Sequence, residues 1–327
     1  MFKKLNVKTL VIILIILAAI YTIAEMTGGR DRSFRNVLVE VDTADVESIY
    51  IRPAGKDLPV VLNRTSVGAW EVSGEGGSYP ADIGMVRSIL SQFTLMKPER
   101  VAATTDKKWA DFELNDSLAT RVTLKGAGEE LADLMIGKFS YTQPPPAQGQ
   151  QNPYQQQQRG KMTSYVRLTD ETPVYAVDGF LKMAYQDNVN AYRNKSLVKV
   201  SRDDIATLSY TYPDRAIDLE KTDGHWMMNG QPADSAAMVK YLNKLSRLNS
   251  SAFVDPSVVK TSDATHKLTI QGSNFSPVVI EAFPVADTAM RYVVTSSANP
   301  GAEFDGSNAR LFETIFVEEP VFLGVEK

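Results

Sequence analysis

An internal duplication constrains what this chain can fold into more than any other feature of its sequence. Residues 60–101 recur as residues 217–254, and Trp70 aligns with Trp226. The other anchors of the alignment are Gly74 with Gly230 and the tripeptide Pro80-Ala81-Asp82 with Pro232-Ala233-Asp234. The first copy holds four additional residues near 74–77. The chain is therefore expected to contain two units of one design.

Each copy carries the pattern of a β-hairpin that leads into a helix. An alternating strand opens the pattern, and two apolar runs follow on either side of a turn. In the second copy the turn is Asp223-Gly224, a pair that favours the positive φ angles of a tight hairpin. The predicted strands are 46–51, 60–62 and 70–72 in the first copy and 205–210, 217–219 and 226–228 in the second.

Asp82 and Asp234 are each predicted to cap an amphipathic helix of about a dozen residues, because a carboxylate there accepts the free N–H groups of the first turn. Apolar residues follow at helical spacing on one face, which should pack on the sheet. They are Met85, Val86, Ile89, Leu90 and Phe93 in the first copy and Met238, Tyr241, Leu242, Leu245 and Leu248 in the second.

Both copies then return to strands, each with a short helix at the end. The predicted strands are 120–124, 131–136, 165–168 and 174–177 in the first copy and 266–270, 278–283, 291–294 and 302–305 in the second; the helices are 179–185 and 309–316. The predicted fold class is α+β, with two tandem repeats of mostly antiparallel sheet and packed helices behind an N-terminal transmembrane helix. One fused sheet built from both copies is the alternative.

The N-terminus has the pattern of a membrane anchor. Lys3, Lys4 and Lys8 precede an uncharged, mostly apolar run at residues 9–24. With its apolar margins this run reaches the lower end of the roughly 17–25 residues that span a bilayer. Positive residues resist translocation, so the terminus should stay in the cytoplasm and the rest of the chain outside it. A cleaved signal peptide is the alternative.

These patterns predict the following organisation of the chain. Residues 1–26 form the cytoplasmic terminus and the inner-membrane anchor, 27–36 a linker, 37–200 the first unit, and 201–327 the second unit with a C-terminal tail. Within the first unit, residues 142–160 are rich in proline and glutamine and are expected to be a disordered hairpin extension. A polyproline-type ligand for a partner is the alternative interpretation of this segment.

Composition excludes several classes of function. The chain has no cysteine, so disulfides and thiolate chemistry are excluded. The 35 basic and 39 acidic residues give a net charge of −4. Nucleic-acid binding needs a cationic surface, so no nucleic-acid partner is expected.

No catalytic, cofactor-binding or metal-binding residue is predicted. A phosphate-binding glycine loop is missing from the sequence, and residues 74–77 are expected to be an ordinary loop. His225 and His266 are the only histidines. His225 is expected at the surface. Asp203-Asp204 and Glu318-Glu319 are pairs of acids, too few for a calcium site, and are expected to be solvated.

Two patterns have a functional interpretation that we weigh against a structural one. Ser196 and Lys199 match the Ser-x-x-Lys spacing of penicillin-binding proteins, but the companion motifs of those enzymes are missing, so no enzymatic activity is predicted. Trp70 and Trp226 resemble sugar-stacking platforms. Their equivalent places in the two copies instead favour a role in the core.

Several segments together resemble the bacterial DUF4340 family of uncharacterised membrane-anchored proteins. They are the N-terminal anchor, Ile49-Tyr50-Ile51, Trp70 with Pro80-Ala81-Asp82, Ile136-Gly137-Lys138, Val174-Tyr175-Ala176-Val177 and Tyr192-Arg193-Asn194-Lys195-Ser196-Leu197. Asn194 stands where the family commonly has Asp, and the insertion at 142–160 replaces a compact loop.

The resemblance implies a function without naming a site. Members of this family often accompany ABC transporters of the gliding-motility type. The implied role is a non-catalytic extracytoplasmic auxiliary or scaffolding component, with ABC permease and ATPase subunits or other envelope proteins as partners. A periplasmic glycan- or peptide-binding module and an unrecognised hydrolase are the alternatives.

Overall fold

The computed structural model describes residues 35–66, 68–74, 77–143, 160–255, 257–286 and 289–323. Among these residues, no helix is long and apolar enough to cross a membrane. The predicted anchor at residues 9–24 lies outside the described residues, as does most of the predicted insertion, residues 144–159.

The first unit is built around a nine-stranded antiparallel sheet. Its strands are β1 (Ser48–Arg52), β2 (Val60–Ser66), β3 (Ala69–Gly74), β4 (Gly77–Pro80), β5 (Pro98–Ala103), β6 (Thr120–Gly126), β7 (Glu129–Thr142), β8 (Lys161–Leu168) and β9 (Val174–Asp178). Their order in the sheet is β4-β3-β2-β1-β6-β7-β8-β9-β5. Consecutive strands are mostly neighbours, as expected for hairpin-connected strands.

The second unit is built around an eight-stranded antiparallel sheet. Its strands are β10 (Ile205–Thr211), β11 (Ala216–Thr222), β12 (His225–Met228), β13 (Gln231–Pro232), β14 (His266–Gly272), β15 (Val278–Pro284), β16 (Tyr292–Ser296) and β17 (Glu303–Asp305). Their order is β13-β12-β11-β10-β14-β15-β16-β17. Without β5, the first sheet has the same order, so the predicted pair of sheet repeats is confirmed and the single fused sheet is excluded.

The described α-helices are few and short. They are α1 (Ile83–Thr94), α2 (Ser235–Leu245), α3 (Leu311–Ile315) and α4 (Glu319–Phe322), and the 3₁₀ turns are Asp106–Lys108, Ala110–Phe112, Leu181–Ala184, Val189–Ala191, Arg202–Asp204 and Asn308–Arg310. The carboxylate of Asp82 accepts N–H groups at the start of α1, and that of Asp234 accepts the Ala237 N–H at the start of α2. Both predicted caps are confirmed.

The hairpin prediction is also confirmed in detail. Asp223 and Gly224 have φ angles of +50° and +84°, the positive values that a tight two-residue turn requires. The pairing is equivalent in the two units at Leu62 opposite Val72 and Leu219 opposite Met228, whereas the first hairpin has a register shift between Arg64 and Ser66. All four of these apolar side chains are buried.

Two predicted helices differ from the structure. The helix expected at 179–185 is a single 3₁₀ turn, Leu181–Ala184. The helix expected at 309–316 is shortened to α3, because Ala309 and Arg310 adopt positive φ and break the helical path before it. Leu181 and Tyr185 of the first segment and Leu311, Ile315 and Phe316 of the second are nevertheless buried in the cores of their units.

Each unit has its own core between its sheet and its helix. Val86, Ile89, Leu90 and Phe93 of α1 are buried in the first, and Met238, Tyr241, Leu242 and Leu245 of α2 in the second. The first sheet also buries a smaller apolar cluster, formed by Leu114, Ala119, Met135, Tyr165, Val174 and Ala176. The segment from Trp109 to Ala119 therefore packs against the first sheet as well.

Candidate functional site

One segment joins the two units, and its backbone is bonded to both. The Tyr192 carbonyl accepts the Asp82 N–H at 2.7 Å, and the Asn194 N–H donates to the Pro80 carbonyl at 2.7 Å. On the other side, the Leu197 N–H donates to the Leu248 carbonyl at 2.9 Å. We call residues 192–198 the junction segment. The Pro-Ala-Asp motif of the first copy thus serves both to start α1 and to hold this segment.

Side chains reinforce the junction segment. The Asn299 amide donates to the Asn194 carbonyl at 2.7 Å, and the Ser296 hydroxyl donates to the Leu197 carbonyl. The Tyr192 hydroxyl accepts the Gln186 N–H at 2.6 Å, and burial raises the pKa of Tyr192 to about 12. The ring is therefore a fixed, neutral part of the first core.

Arg193 occupies an unusual position at the junction. Its guanidinium carbon lies 3.7 Å from the ring centre of Tyr79, in the first unit, and 3.8 Å from that of Phe253, in the second. The residue is 7% exposed, and its Nη1 donates to the Asn190 side-chain oxygen at 3.1 Å. Among the described residues, no carboxylate pairs with it. Burial lowers the pKa of the Arg193 guanidinium, since the charged form loses hydration.

A cavity of about 860 Å³ opens beside this arginine, and we call it the Arg193 cavity. Besides Arg193, its lining includes Asn188 and Asn190 from the first unit and Phe253 and Asp255 from the second. Its volume lies within the range of roughly 300–1,000 Å³ for small-ligand sites. The cavity is therefore large enough for a small molecule and exists only where both units meet.

A second cavity of about 940 Å³ borders the same junction segment. Lys195, Lys199 and Arg247 line it together with Phe275 and Pro277. Lys199 and Arg247 are exposed, and Lys195 donates to the Ala191 carbonyl at 3.0 Å. These cations are in contact with solvent, in contrast to the buried Arg193.

The Ser-x-x-Lys match does not form the geometry of the enzymes that share its spacing. Ser196 forms an isolated β-bridge with Asn249, and the chain around it is not helical. Lys199 is thus not one helical turn from the Ser196 hydroxyl. Leu197 and Val198 between them are buried in the second core.

Both tryptophans lie in the cores. Trp70 is 6% and Trp226 is 9% exposed. The Trp70 carbonyl accepts the Ala81 N–H at 2.8 Å, and the Trp226 carbonyl accepts the Ala233 N–H at 2.9 Å. The predicted core role is confirmed, and neither ring has a free face for stacking on a sugar.

The two histidines have different surroundings. His225 is exposed on β12, as predicted. The His266 ring is half-buried among four aromatic rings, those of Tyr212, Tyr292, Phe312 and Phe316. Burial lowers the pKa of His266, with the nearby Arg215 acting in the same direction.

The acidic pairs have ordinary polar partners. Asp204 accepts a hydrogen bond from the Asn274 amide at 3.1 Å, and Glu318 pairs with Arg215 at 2.7 Å. Within the described parts of the chain, no group of three or more His, Cys, Asp or Glu side chains is placed to hold a metal ion. Strand β3 ends at Gly74 and β4 begins at Gly77, and these two glycines are paired; residues 75 and 76 of the predicted loop lie outside the described residues.

The sequence alone did not indicate the Arg193 site. The residue was part of a recognised motif, but its chemistry depends on Tyr79 and Phe253, which lie far from it in the sequence. The available signal is an arginine directly after Tyr192, close to the predicted boundary between the units at residues 200 and 201. Such a position predicts burial only once the packing of the two units is known.

Part of the chain is similar to a known protein family. Residues 155–269 match the model of the family DUF4340, a domain of unknown function. The expected resemblance to DUF4340 is thus confirmed for this segment, which includes β9, the junction segment, the second hairpin and α2. No curated protein and no solved structure matches the chain.

Proposed function

We propose that this protein is a non-catalytic auxiliary or scaffolding component of an ABC-type transport assembly of the gliding type. In this proposal residues 9–24 anchor it in the inner membrane, and the two units lie outside the cytoplasm. It acts by contact with permease, ATPase or other envelope proteins. The observation that carries the proposal is a group of exposed apolar side chains beside the insertion.

These side chains form what we call the hairpin patch: Phe139, Tyr141, Met162 and Met183. They are 46%, 54%, 43% and 69% exposed. Tyr141 lies directly opposite Met162 in the β7–β8 pair, so both point to one face of the sheet. The Phe139 ring also lies 4.0 Å from that of Phe180, which leads into the 3₁₀ turn that carries Met183.

The hairpin patch supports a role in protein contact. Exposed large apolar side chains that are grouped together are typical of interaction sites, because burying them against a partner removes apolar surface from water. The patch lies at the end of the β7–β8 hairpin, where Thr142 pairs with Lys161 at the base of the insertion. A partner that contacts the insertion would meet the patch as well.

Co-purification of the full-length chain in mild detergent tests this proposal. We expect ABC permease and ATPase subunits in stoichiometric amounts, and we expect a Phe139→Ser, Tyr141→Ser, Met162→Ser variant to lose them. Val259→Ser is the matched control, because Val259 is 74% exposed but lies in the second unit.

Three outcomes would contradict the proposal. One is recovery of the chain without transporter subunits, and another is full retention of those subunits by the triple variant. The third is cell fractionation that places the intact chain in the cytosol, which would contradict the anchor.

A peptide-binding module is the second candidate function, and the Arg193 cavity favours it. A glycan ligand has less support, since both tryptophans of the repeat are buried. Recovery of a monomer that retains peptide fragments would favour this second candidate over the assembly role.

A further inference from the structure

We propose that the Arg193 cavity binds a small zwitterionic ligand, an amino acid or a short peptide, whose carboxylate pairs with Arg193 and whose ammonium group faces the acidic rim. The inference deepens the second candidate function, peptide binding, by naming the ligand chemistry, and it does not depend on the role in a transport assembly.

The first step is the unused hydrogen-bonding capacity of Arg193. A guanidinium has five N–H donors, and here Nη1 donates to Asn190. Tyr79 and Phe253 cover the two faces of the group, so the remaining contacts must be made at its edge. That edge carries the donors that form two parallel hydrogen bonds to a carboxylate.

Arg167 shows how this fold treats a buried arginine that has only a structural role. It is 3% exposed and stacks on Trp109 at 3.8 Å, much as Arg193 stacks on its two rings. Its Nε donates to the Leu114 carbonyl at 3.1 Å, and its Nη1 donates to the Thr169 carbonyl at 2.9 Å. Backbone carbonyls thus satisfy Arg167, with the Asp116 carboxylate 4.0 Å away, whereas Arg193 has neither a backbone carbonyl nor a carboxylate as partner among the described residues and lines a cavity instead.

The second step is the charge distribution of the cavity. Asp57, Asp187 and Asp255 line it and are exposed, and Lys56 is the other lining cation. None of these carboxylates pairs with Arg193 in the described structure. The cavity therefore combines a buried positive group with negative groups near the solvent. A ligand with one charge of each sign matches this arrangement, because a buried arginine is stabilised by a partner of opposite charge.

The ligand itself offers the sharpest test. Calorimetric titration of the full-length chain with trialanine at millimolar concentration should show binding. The C-terminal amide of trialanine should bind at least about tenfold more weakly, because it loses the charged hydrogen bonds to Arg193. N-acetyl trialanine should also bind more weakly, through loss of the ammonium group. Titration with free alanine distinguishes an amino-acid ligand from a peptide ligand.

Substitutions test the role of Arg193 in binding the carboxylate. Arg193→Lys retains the positive charge but loses the planar group that stacks between the two rings and forms two parallel bonds, so it should bind trialanine at least about tenfold more weakly. Arg247→Lys, in the second cavity, is the matched control and should bind as the natural chain does. Equal binding of trialanine and its amide, or no binding of trialanine and alanine, would overturn the proposal even if every variant failed to fold.

Discussion

At the scale of single residues, Trp70 and Trp226 show what the duplication has kept. Each is buried in its unit, and the carbonyl of each accepts an N–H from the chain that leads into the helix. A tryptophan in this place covers apolar area in the core, while its backbone fixes the start of the next element. The ring and the helix start are therefore coupled in both units.

Replacing Trp226 with Ala should lower the free energy of unfolding by about 3–5 kcal/mol, because it removes a large buried ring and leaves a cavity. Chemical denaturation of the purified variant measures this loss. His225→Ala, the exposed neighbour, is the control and should stay within about 0.5 kcal/mol of the natural chain. A Trp226→Ala variant as stable as its control would show that the ring does not support the core.

The residue scale also shows where sequence reasoning works. Asp82 and Asp234 could be predicted as caps because the cap depends only on the residues that follow them. Arg193 could not be predicted as a buried cation, because its two aromatic partners come from different units. Local hydrogen bonding can be inferred from a short stretch of sequence, whereas long-range stacking cannot.

At the scale of elements, one glycine in each unit marks a close backbone contact that occurs at equivalent places in the two sheets. Gly126 ends β6 and Gly272 ends β14, at equivalent places in the two sheets. A Cβ atom at Gly126 would lie 2.1 Å from the Asp45 carbonyl oxygen, and one at Gly272 would lie 1.9 Å from that of Asp204. In both units the backbone approaches so closely that no side chain fits.

Gly272→Ala should therefore destabilise the second unit by about 1–3 kcal/mol, since backbone atoms must move to admit the methyl group. Thermal unfolding measures the effect. Gln271→Ala, at an exposed neighbouring position, is the control and should have an unfolding midpoint close to that of the unsubstituted chain. An unchanged midpoint for Gly272→Ala would mean that the backbones can separate freely.

Elements differ in how far the sequence predicts them. The hairpins and the helices α1 and α2 have strong local signals, and they were predicted. Strand β5 was missed because its partner β9 lies far along the chain and their pairing is irregular, with register shifts after Pro98 and Val101. An edge strand with exposed residues and an interrupted register has no clear alternating pattern.

At the scale of the whole molecule, the duplication gives two similar cores with different surroundings. The first sheet carries an additional apolar cluster formed with the segment that precedes β6. In the second sheet, Lys267 pairs with Glu281 between β14 and β15, on residues that alternate with the buried ones. Apolar side chains therefore cover more of the first sheet than of the second.

Because the main cores are separate, core changes in different units should act independently. Ile89→Val and Ile280→Val remove one methylene each from fully buried positions and should each cost about 0.5–1.5 kcal/mol. The double variant should lose the sum of the two costs within about 0.5 kcal/mol, as found for distant sites. Denaturation of all three variants measures this, and a larger deviation would show that the cores are coupled.

The closed base of the β7–β8 hairpin has a practical consequence. Since Thr142 and Lys161 are paired, the ends of residues 143–160 are already held together by the sheet. The entropy of closing a loop grows only with the logarithm of its length, so each doubling costs about 0.6 kcal/mol. This position therefore suits the insertion of epitope tags or reporter domains, because the inserted sequence would leave the sheet of the first unit unchanged.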